Sequence, residues 1–410
     1  MPTVQYPGTA SPLDDQVAAK GCLAAEGWLQ MSPFPTVVAY DDVRSFLLDD
    51  RVGVDAARSL ELAGITGGPL HDFIAISPLN SDGEEHRRWR SEMVRIFTPR
   101  RAAELRPFLE GVATELVDVV SEGGGRCELM AEVAEPFALR GLCELIGVPR
   151  EDCSEFEGWA SDVGRLLSSV FEPGCLHELE AALEPLLTYT DDLLMRRAST
   201  PTGDLVSLVA ERIEGNPSFP PGAGRMTVAG LIFTGLETVK CQLGWSVATL
   251  ALAPELWRAA GERTVGMPQL VEELLRHRSV NGTLARTARS DIEHRGHTFP
   301  AGSRLFLSIW GADNDPNAFP DAHQLRLMEA DRPHLAFGLG QHYCIGASLA
   351  RVELAVALSE LTSRLDCPTI ADVSWKPSVP PTGPASLVLD FPQGDSTSGS
   401  ADSTPVRTRP

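Results

Sequence analysis

Phe337-Gly-Leu-Gly-Gln-His342-Tyr-Cys344-Ile-Gly346-Ala-Ser-Leu-Ala-Arg351 is the stretch whose reading decides the fold. Two close glycines precede a cysteine, and a third follows before a helical pattern begins. Gly338 and Gly340 can take φ > 0, which lets the backbone fold tightly beneath a flat ligand. Past Cys344 the apolar residues Ile345, Leu349, Val352 and Val356 recur at helical spacing. That pattern puts Cys344 at a helix N-terminus, where the macrodipole and unpaired N–H groups favour a thiolate. Such a thiolate is a nucleophile or a ligand for a soft metal. The bland alternative is a buried cysteine beside a glycine turn.

Phe337, Gly338, Gly340, His342, Cys344 and Gly346 resemble, residue for residue, the cysteine-ligand loop of cytochromes P450. The resemblance implies a mainly α fold with a smaller β region, in which haem sits between a long oxygen-binding helix and this loop. It makes Cys344 the axial ligand of the haem iron, with Phe337 and Gly338 part of the cofactor cradle.

Three other stretches carry the same resemblance. From Glu84 to about Val119 the pattern is helical and opens with His86-Arg87-Arg88-Trp89-Arg90. His86 and Arg90, four apart, share one helix face. Clustered with them are Arg87, Arg88, Arg95, Arg100 and Arg101, out of character in a chain of net charge −21. A solvated basic face is the ordinary reading. The family's equivalent helix runs on to Phe97-Thr98-Pro99-Arg100, and the resemblance implies that His86 and Arg90, with Arg286 and His342, bind haem propionates. Cations beside carboxylates satisfy buried anionic groups.

Thr227 to about Leu252 is long, apolar and helical in period, interrupted by Thr234-Gly235-Leu236-Glu237-Thr238. Glycine inside a helix costs roughly 1 kcal/mol against alanine, and a buried acid costs more unless it is paired or used. On local chemistry alone, Thr238 bonds a carbonyl one turn back and Glu237 pairs with Lys240. The resemblance implies instead that Thr238 holds water near dioxygen and Glu237 relays protons, both as catalytic residues. Thr234 replaces the family's usual small residue.

Glu273-x-x-Arg276 is an i,i+3 pair, implied by the resemblance to be a buried structural ion pair. Relatives usually place an arginine five residues before His334 to complete a triad. Glu329 stands there, so Arg332 is expected to substitute, with Arg326 the other option. Asp313, in Ala312-Asp-Asn-Asp-Pro316, replaces a usual asparagine.

The acidic balance argues against general affinity for nucleic acid or an anionic membrane. No uncharged apolar run suits a membrane span, and the N-terminal residues lack secretory features. Eight scattered cysteines without a CxxC pair read as reduced thiols. Residues 1–391 read as one domain and 392–410 as a disordered tail. Ala18–Leu29 reads as a short helix, Thr36–Tyr40 as a strand, Asp41–Leu48 as an Asp-capped helix, 63–81 as a functional loop, and Leu305–Trp310 as a strand. By resemblance, Val170–Leu187 is a lid, and Pro381-Thr-Gly383 lines the pocket. Phe73, Ile74, Ile76, Phe233, Leu236 and Leu284 are the expected substrate contacts.

The function implied is that of a cytoplasmic, monomeric haem-thiolate monooxygenase carrying haem b, with O₂ as co-substrate. Electrons come from a ferredoxin and ferredoxin reductase, so NAD(P)H serves only indirectly. Arg87, Arg88 and Arg100 are expected to dock the acidic donor. The substrate is a small organic molecule, free or carrier-protein-bound, hydroxylated or epoxidised in secondary metabolism. Oxidative coupling or desaturation, and a non-catalytic haem protein, are the rival readings.

Overall fold

The computed structural model describes residues 28–392 except 32–33, 56, 58–59, 62–63, 150, 168–174, 328–331 and 377–380. The expectations for 18–27, for the lid at 170–174, for Glu329 and for the tail from 393 onward lie outside the described residues.

An antiparallel pair, β1 (Trp28–Met31) and β2 (Phe34–Val37), opens the described chain, with Trp28 in register with Val37. Trp28 and Leu29 therefore lie in a strand, not at the end of the expected helix; their pairing partner comes from the next segment. Next comes α1 (Tyr40–Leu48), capped at Ala39 with no side-chain cap. The Tyr40 N–H is satisfied by Asp315 Oδ2 at 3.0 Å, so no local aspartate is needed there. After β3 (Val52–Gly53), the expected loop contains α2 (Pro69–Ala75), which buries Leu70 and Phe73. Proline at a first helical turn starts a helix as readily as it breaks one.

The basic helix is two helices, α3 (Gly83–Ile96) and α4 (Pro99–Glu122). Thr98 ends one and caps the other, its hydroxyl accepting the Arg101 N–H at 3.2 Å. β4 (Arg126–Glu128) and a π turn lead to α5 (Glu135–Ile146), α6 (Cys153–Leu167), α7 (Cys175–Ser199) and α8 (Leu205–Arg212). Then follow α9 (Ala223–Ala251), α10 (Pro254–Gly261) and α11 (Met267–His277). A β-rich part holds β5 (Thr283–Ala288), β6 (Ile292–His294), β7 (His297–Phe299) and β8 (Arg304–Ser308). β8 stops at Ser308, short of the strand expected to Trp310. Its hydroxyl accepts the Gly311 N–H at 3.0 Å and starts α12 (Ile309–Asp313). α13 (Ala347–Arg364), β9 (Thr369–Trp375) and β10 (Pro384–Asp390) complete the fold.

Among the described residues the strands form a five-stranded sheet, β1-β2-β8-β5-β3, a three-stranded sheet, β4-β10-β9, and the pair β6-β7. β2 and β8 run parallel; the other pairings are antiparallel.

α9 organises the interior. It is apolar around most of its circumference because it is packed on several sides, touching α5, α7, α8 and α13. Its first half, including Met226, Ile232 and Leu236, belongs to a core shared with α2, α3 and α5–α8. Its second half, including Leu243, Trp245 and Leu250, belongs to a core shared with α4, α10, α11 and α13. The two cores change over beyond Thr238, and the site lies at that seam.

Candidate functional site

The loop before α13 turns where its glycines allow. Gly338 has φ +68° and Gly340 φ +73°. A Cβ at Gly340 would lie 2.8 Å from the Leu47 carbonyl oxygen, so backbone approach as well as φ demands glycine. The Cys344 N–H donates to Phe337 O at 2.9 Å and closes the loop. α13 begins at Ala347, so Cys344 sits three residues ahead of it. Burial pushes the thiol above its ordinary value, against the Gly346 and Ala347 N–H groups and the Arg90 and Arg351 guanidiniums. In the protein alone, burial outweighs these N–H groups and guanidiniums, which favour the thiolate as the sequence pattern implies. The thiol is exposed towards a cavity of about 460 Å³. A cation bound to the sulfur would reverse its protonation preference.

His86, Arg90, Arg286, Phe337, Gly338 and His342 all line this cavity with Cys344. Burial lowers the pKa of both arginines. Among the described residues neither hydrogen-bonds a carboxylate; Arg286 Nη1 donates to Ala285 O at 2.8 Å. His86 places Nδ1 2.9 Å from Pro78 O and Nε2 2.9 Å from Gln341 O, so α3 and the cysteine loop are joined through its ring. The His342 ring lies 4.2 Å from that of His86, and its Nε2 is 2.9 Å from Asp82 Oδ1. Burial also depresses the His342 pKa, only partly opposed by Asp82.

Asp82 is absent from the sequence reading. In sequence it looks like a helix cap before Gly83-Glu-Glu85, yet its side chain makes no capping bond. It accepts the Val54 N–H at 2.8 Å and Gln341 Nε2 at 3.1 Å, and pairs with Arg289. Burial opposes its charge, but His342, the Val54 N–H and Arg289 outweigh it and hold the carboxyl below its usual range. A thiol on one wall and two half-buried guanidiniums without carboxylate partners among the described residues fit a flat metal-bearing group that carries two carboxylates.

On α9, Thr238 lines the cavity and donates to Thr234 O at 2.6 Å. Gly235 does not break the helix; a Cβ there would meet Leu142 Cδ1 at 2.9 Å, so glycine lets α5 approach. Glu237 is buried away from the cavity wall, paired with Lys240 at 2.6 Å and with Lys376. Lys240 reaches Glu135 at 3.2 Å. Burial works against the Glu237 charge, yet the two lysines prevail and depress its pKa. Both local pairings available in the sequence are thus present, and Lys376 is an addition from a distant strand end.

Of the expected substrate contacts, Leu284 lines the cavity. Phe73 and Leu236 are instead buried in the helical core, with Ile74 and Ile76 packed against it. They point there because 69–75 is helical, so its apolar face packs inward. The Phe233 side chain lies outside the described residues. Ser77, Pro78, Leu79, Leu142, Leu231 and Pro381 contribute wall in their place.

Glu273 and Arg276 form a buried two-bond pair at 2.8 and 2.9 Å. Arg332 does not complete a triad. Its guanidinium lies at the surface, 2.5 Å from Asp41 and over the Tyr40 ring. Arg326 reaches Glu273 only through its backbone N–H, at 2.6 Å. Asp313 O and Gln324 O take two of the three remaining Arg276 N–H donors at 2.7 and 3.1 Å, so carbonyls fill most of the pair's coordination. Beside it, Glu272 binds Arg351 of α13 at 2.6 and 2.9 Å and faces His334 at 3.2 Å. Sequence spacing concealed that cross-link.

The family model for cytochrome P450 matches residues 267–390. The chain is 35% identical to mycinamicin IV hydroxylase/epoxidase of Micromonospora griseorubida, covering 83% of this chain and 82% of that one. The chain belongs to the cytochrome P450 family. Luteothin monooxygenase of Streptomyces thioluteus is 28% identical over 89% of this chain and 90% of its own. The solved P450 PksS of the Bacillus subtilis bacillaene polyketide synthase superposes with TM-score 0.81 at 27% identity, covering 93% and 97% of the two chains. This P450 is accordingly an oxidoreductase of the monooxygenase class, with a haem-thiolate cofactor and O₂ as co-substrate. Bacterial P450s generally draw on redox partners. No described helix is long and apolar enough to cross a membrane.

Proposed function

We propose that the protein is a haem b monooxygenase that hydroxylates or epoxidises a predominantly apolar secondary metabolite, and that Cys344 is the thiolate that would hold the haem iron. The observation that carries this reading is the Cys344 thiol opening into a cavity that Arg90, Arg286 and Thr238 also line. Thiolate-bound haem supplies reductive O₂ activation, in which one oxygen atom enters a C–H or C=C bond and the other leaves as water with two electrons and two protons. Arg90 and Arg286 would hold the propionates, while His86 and His342 tie α3 to the ligand loop. Thr238 holds a water at the cavity side of α9. Glu237, turned towards Lys240 and Lys376, delivers protons by exchanging one of these partners for that water.

The electrons come from a ferredoxin and its reductase, with NAD(P)H consumed by the reductase. Arg87, Arg88 and Arg100 are exposed, but Glu84 lies 2.9 Å from Arg87 and Glu104 2.8 Å from Arg100. That local pairing weakens the patch's field, so donor docking responds gently to salt. Polyketide chemistry in the relatives' names supports a polyketide-derived substrate. The purified protein should show a thiolate-type reduced-CO band that Cys344→Ser abolishes, and product formed under ¹⁸O₂ should gain one labelled atom. Unlabelled product would replace this reading with coupling or desaturation.

A further inference from the structure

Most polar side chains that α9 sends to the cavity are already occupied by protein. Thr227 donates to Ala223 O at 2.7 Å, Thr234 to Gly230 O at 2.8 Å and Thr238 to Thr234 O at 2.6 Å. Gln242, one turn past Thr238 and buried, uses both ends of its amide. Nε2 donates to Arg278 O at 2.8 Å, and Oε1 accepts the Val280 N–H at 3.2 Å. Trp245 follows, donating to Thr382 O at 3.1 Å. Its ring stacks on Trp375 at 4.4 Å, and the Arg278 guanidinium lies 5.2 Å from its centroid. Thr382 in turn donates its N–H and hydroxyl to Val280 O at 2.9 and 3.1 Å.

These bonds tie α9, residues 278–281 and the turn at 381–383 into one clasp. The clasp carries Asn281 and Pro381 into the cavity wall. The adjoining Ser279 also lines the cavity, but its hydroxyl is buried and has no partner among the described residues. Asn281 differs. It is half-buried, lines the cavity, and forms no hydrogen bond among the described residues. Its amide offers two donors and an acceptor, and Leu231 and Leu284 are apolar parts of the same cavity's wall. A ligand that displaces water from this wall would leave the amide unpaired at a cost unless it supplies a hydrogen-bonding partner.

We propose that Asn281 is the polar anchor for substrate. Its amide hydrogen-bonds a carbonyl or hydroxyl oxygen of a largely apolar molecule. The Gln242 clasp is its positioning device, fixing where that oxygen sits and so which carbon reaches the reactive end. This rests on the oxygenase reading and adds the functional group recognised.

The test uses the haem-loaded protein and two probes of equal ring size, cyclopentadecanone and cyclopentadecane, titrated by the Soret shift. The wild type should bind the ketone roughly fivefold tighter, as one neutral hydrogen bond allows. Asn281→Leu, close in volume, should bring the ratio to about one without weakening hydrocarbon binding, and Asn281→Ser should restore part of it. Gln242→Met should lower the ratio while the reduced-CO band stays unchanged. Equal binding by the wild type, or a preference surviving in Asn281→Leu, would overturn the anchor. A preference surviving in Gln242→Met would overturn the clasp. A wild-type protein without the thiolate band would sink the oxygenase reading instead, whereas an intact band with equal binding sinks only Asn281.

Discussion

Asp313→Asn should make the protein more stable, and increasingly so as pH rises. Asp313 is 0% exposed, with Oδ1 accepting the Leu335 N–H at 2.7 Å and Oδ2 lacking a partner among the described residues. Burial raises its carboxyl pKa to about 7; His334, the Leu335 N–H and Arg276 oppose the rise, and Glu273 adds to it. An unfolded aspartate ionises at about 3.9, so the two states differ by about three pH units, or on the order of 4 kcal/mol. The folded state holds this proton more tightly. Its contribution is therefore intact below about pH 4, declines as pH rises, and is fully lost above about pH 7. Asparagine keeps the acceptor for Leu335 and cannot ionise. Its amide nitrogen would stay unpaired at every pH, a constant offset. The difference in unfolding free energy between variant and wild type should thus widen by on the order of 3 kcal/mol from pH 5 to pH 8. Urea unfolding followed by tryptophan fluorescence at four pH values measures it. A difference that stays flat or narrows would refute the burial argument.

Arg276→Ala leaves Glu273 buried with one backbone N–H as its remaining partner, and should cost about 3–5 kcal/mol in urea unfolding; a cost below about 1 kcal/mol would mean the carbonyl-flanked pair adds nothing. Gly340→Ala should lower the melting temperature more than Gly338→Ala, because its Cβ meets Leu47 O at 2.8 Å whereas at Gly338 the nearest atom is 3.7 Å away. Equal shifts would show that positive φ alone matters. Lys376→Met leaves Glu237 with Lys240 alone and should cost roughly 1–3 kcal/mol at pH 7. Because the Glu237 pKa is depressed, that cost should be full at pH 7 and shrink as pH falls below the ordinary glutamate range and the folded carboxyl protonates. A cost independent of pH would point to lost packing instead.

The features legible beforehand were those whose chemistry closes within a few residues. Two glycines at positive φ before Cys344, Glu273 three residues before Arg276, and the Thr238 hydroxyl four residues from its carbonyl need only backbone periodicity. Local rules misled where a partner arrives from elsewhere. Asp82 looks like a cap and instead holds His342, 260 residues away. Pro69 looks like a breaker and starts a helix.

By itself, then, the sequence determined the family, the glycine-held cysteine loop and the helical scaffold, because these depend on spacing along one chain. Only the tertiary structure decided which apolar residues form the cavity wall and which the core. It also decided that Lys376 restrains Glu237 and that carbonyls fill most of the coordination of the Glu273–Arg276 pair. Those outcomes turn on which segments the packed cores bring together, and on how far burial shifts the charge of each group once it is there.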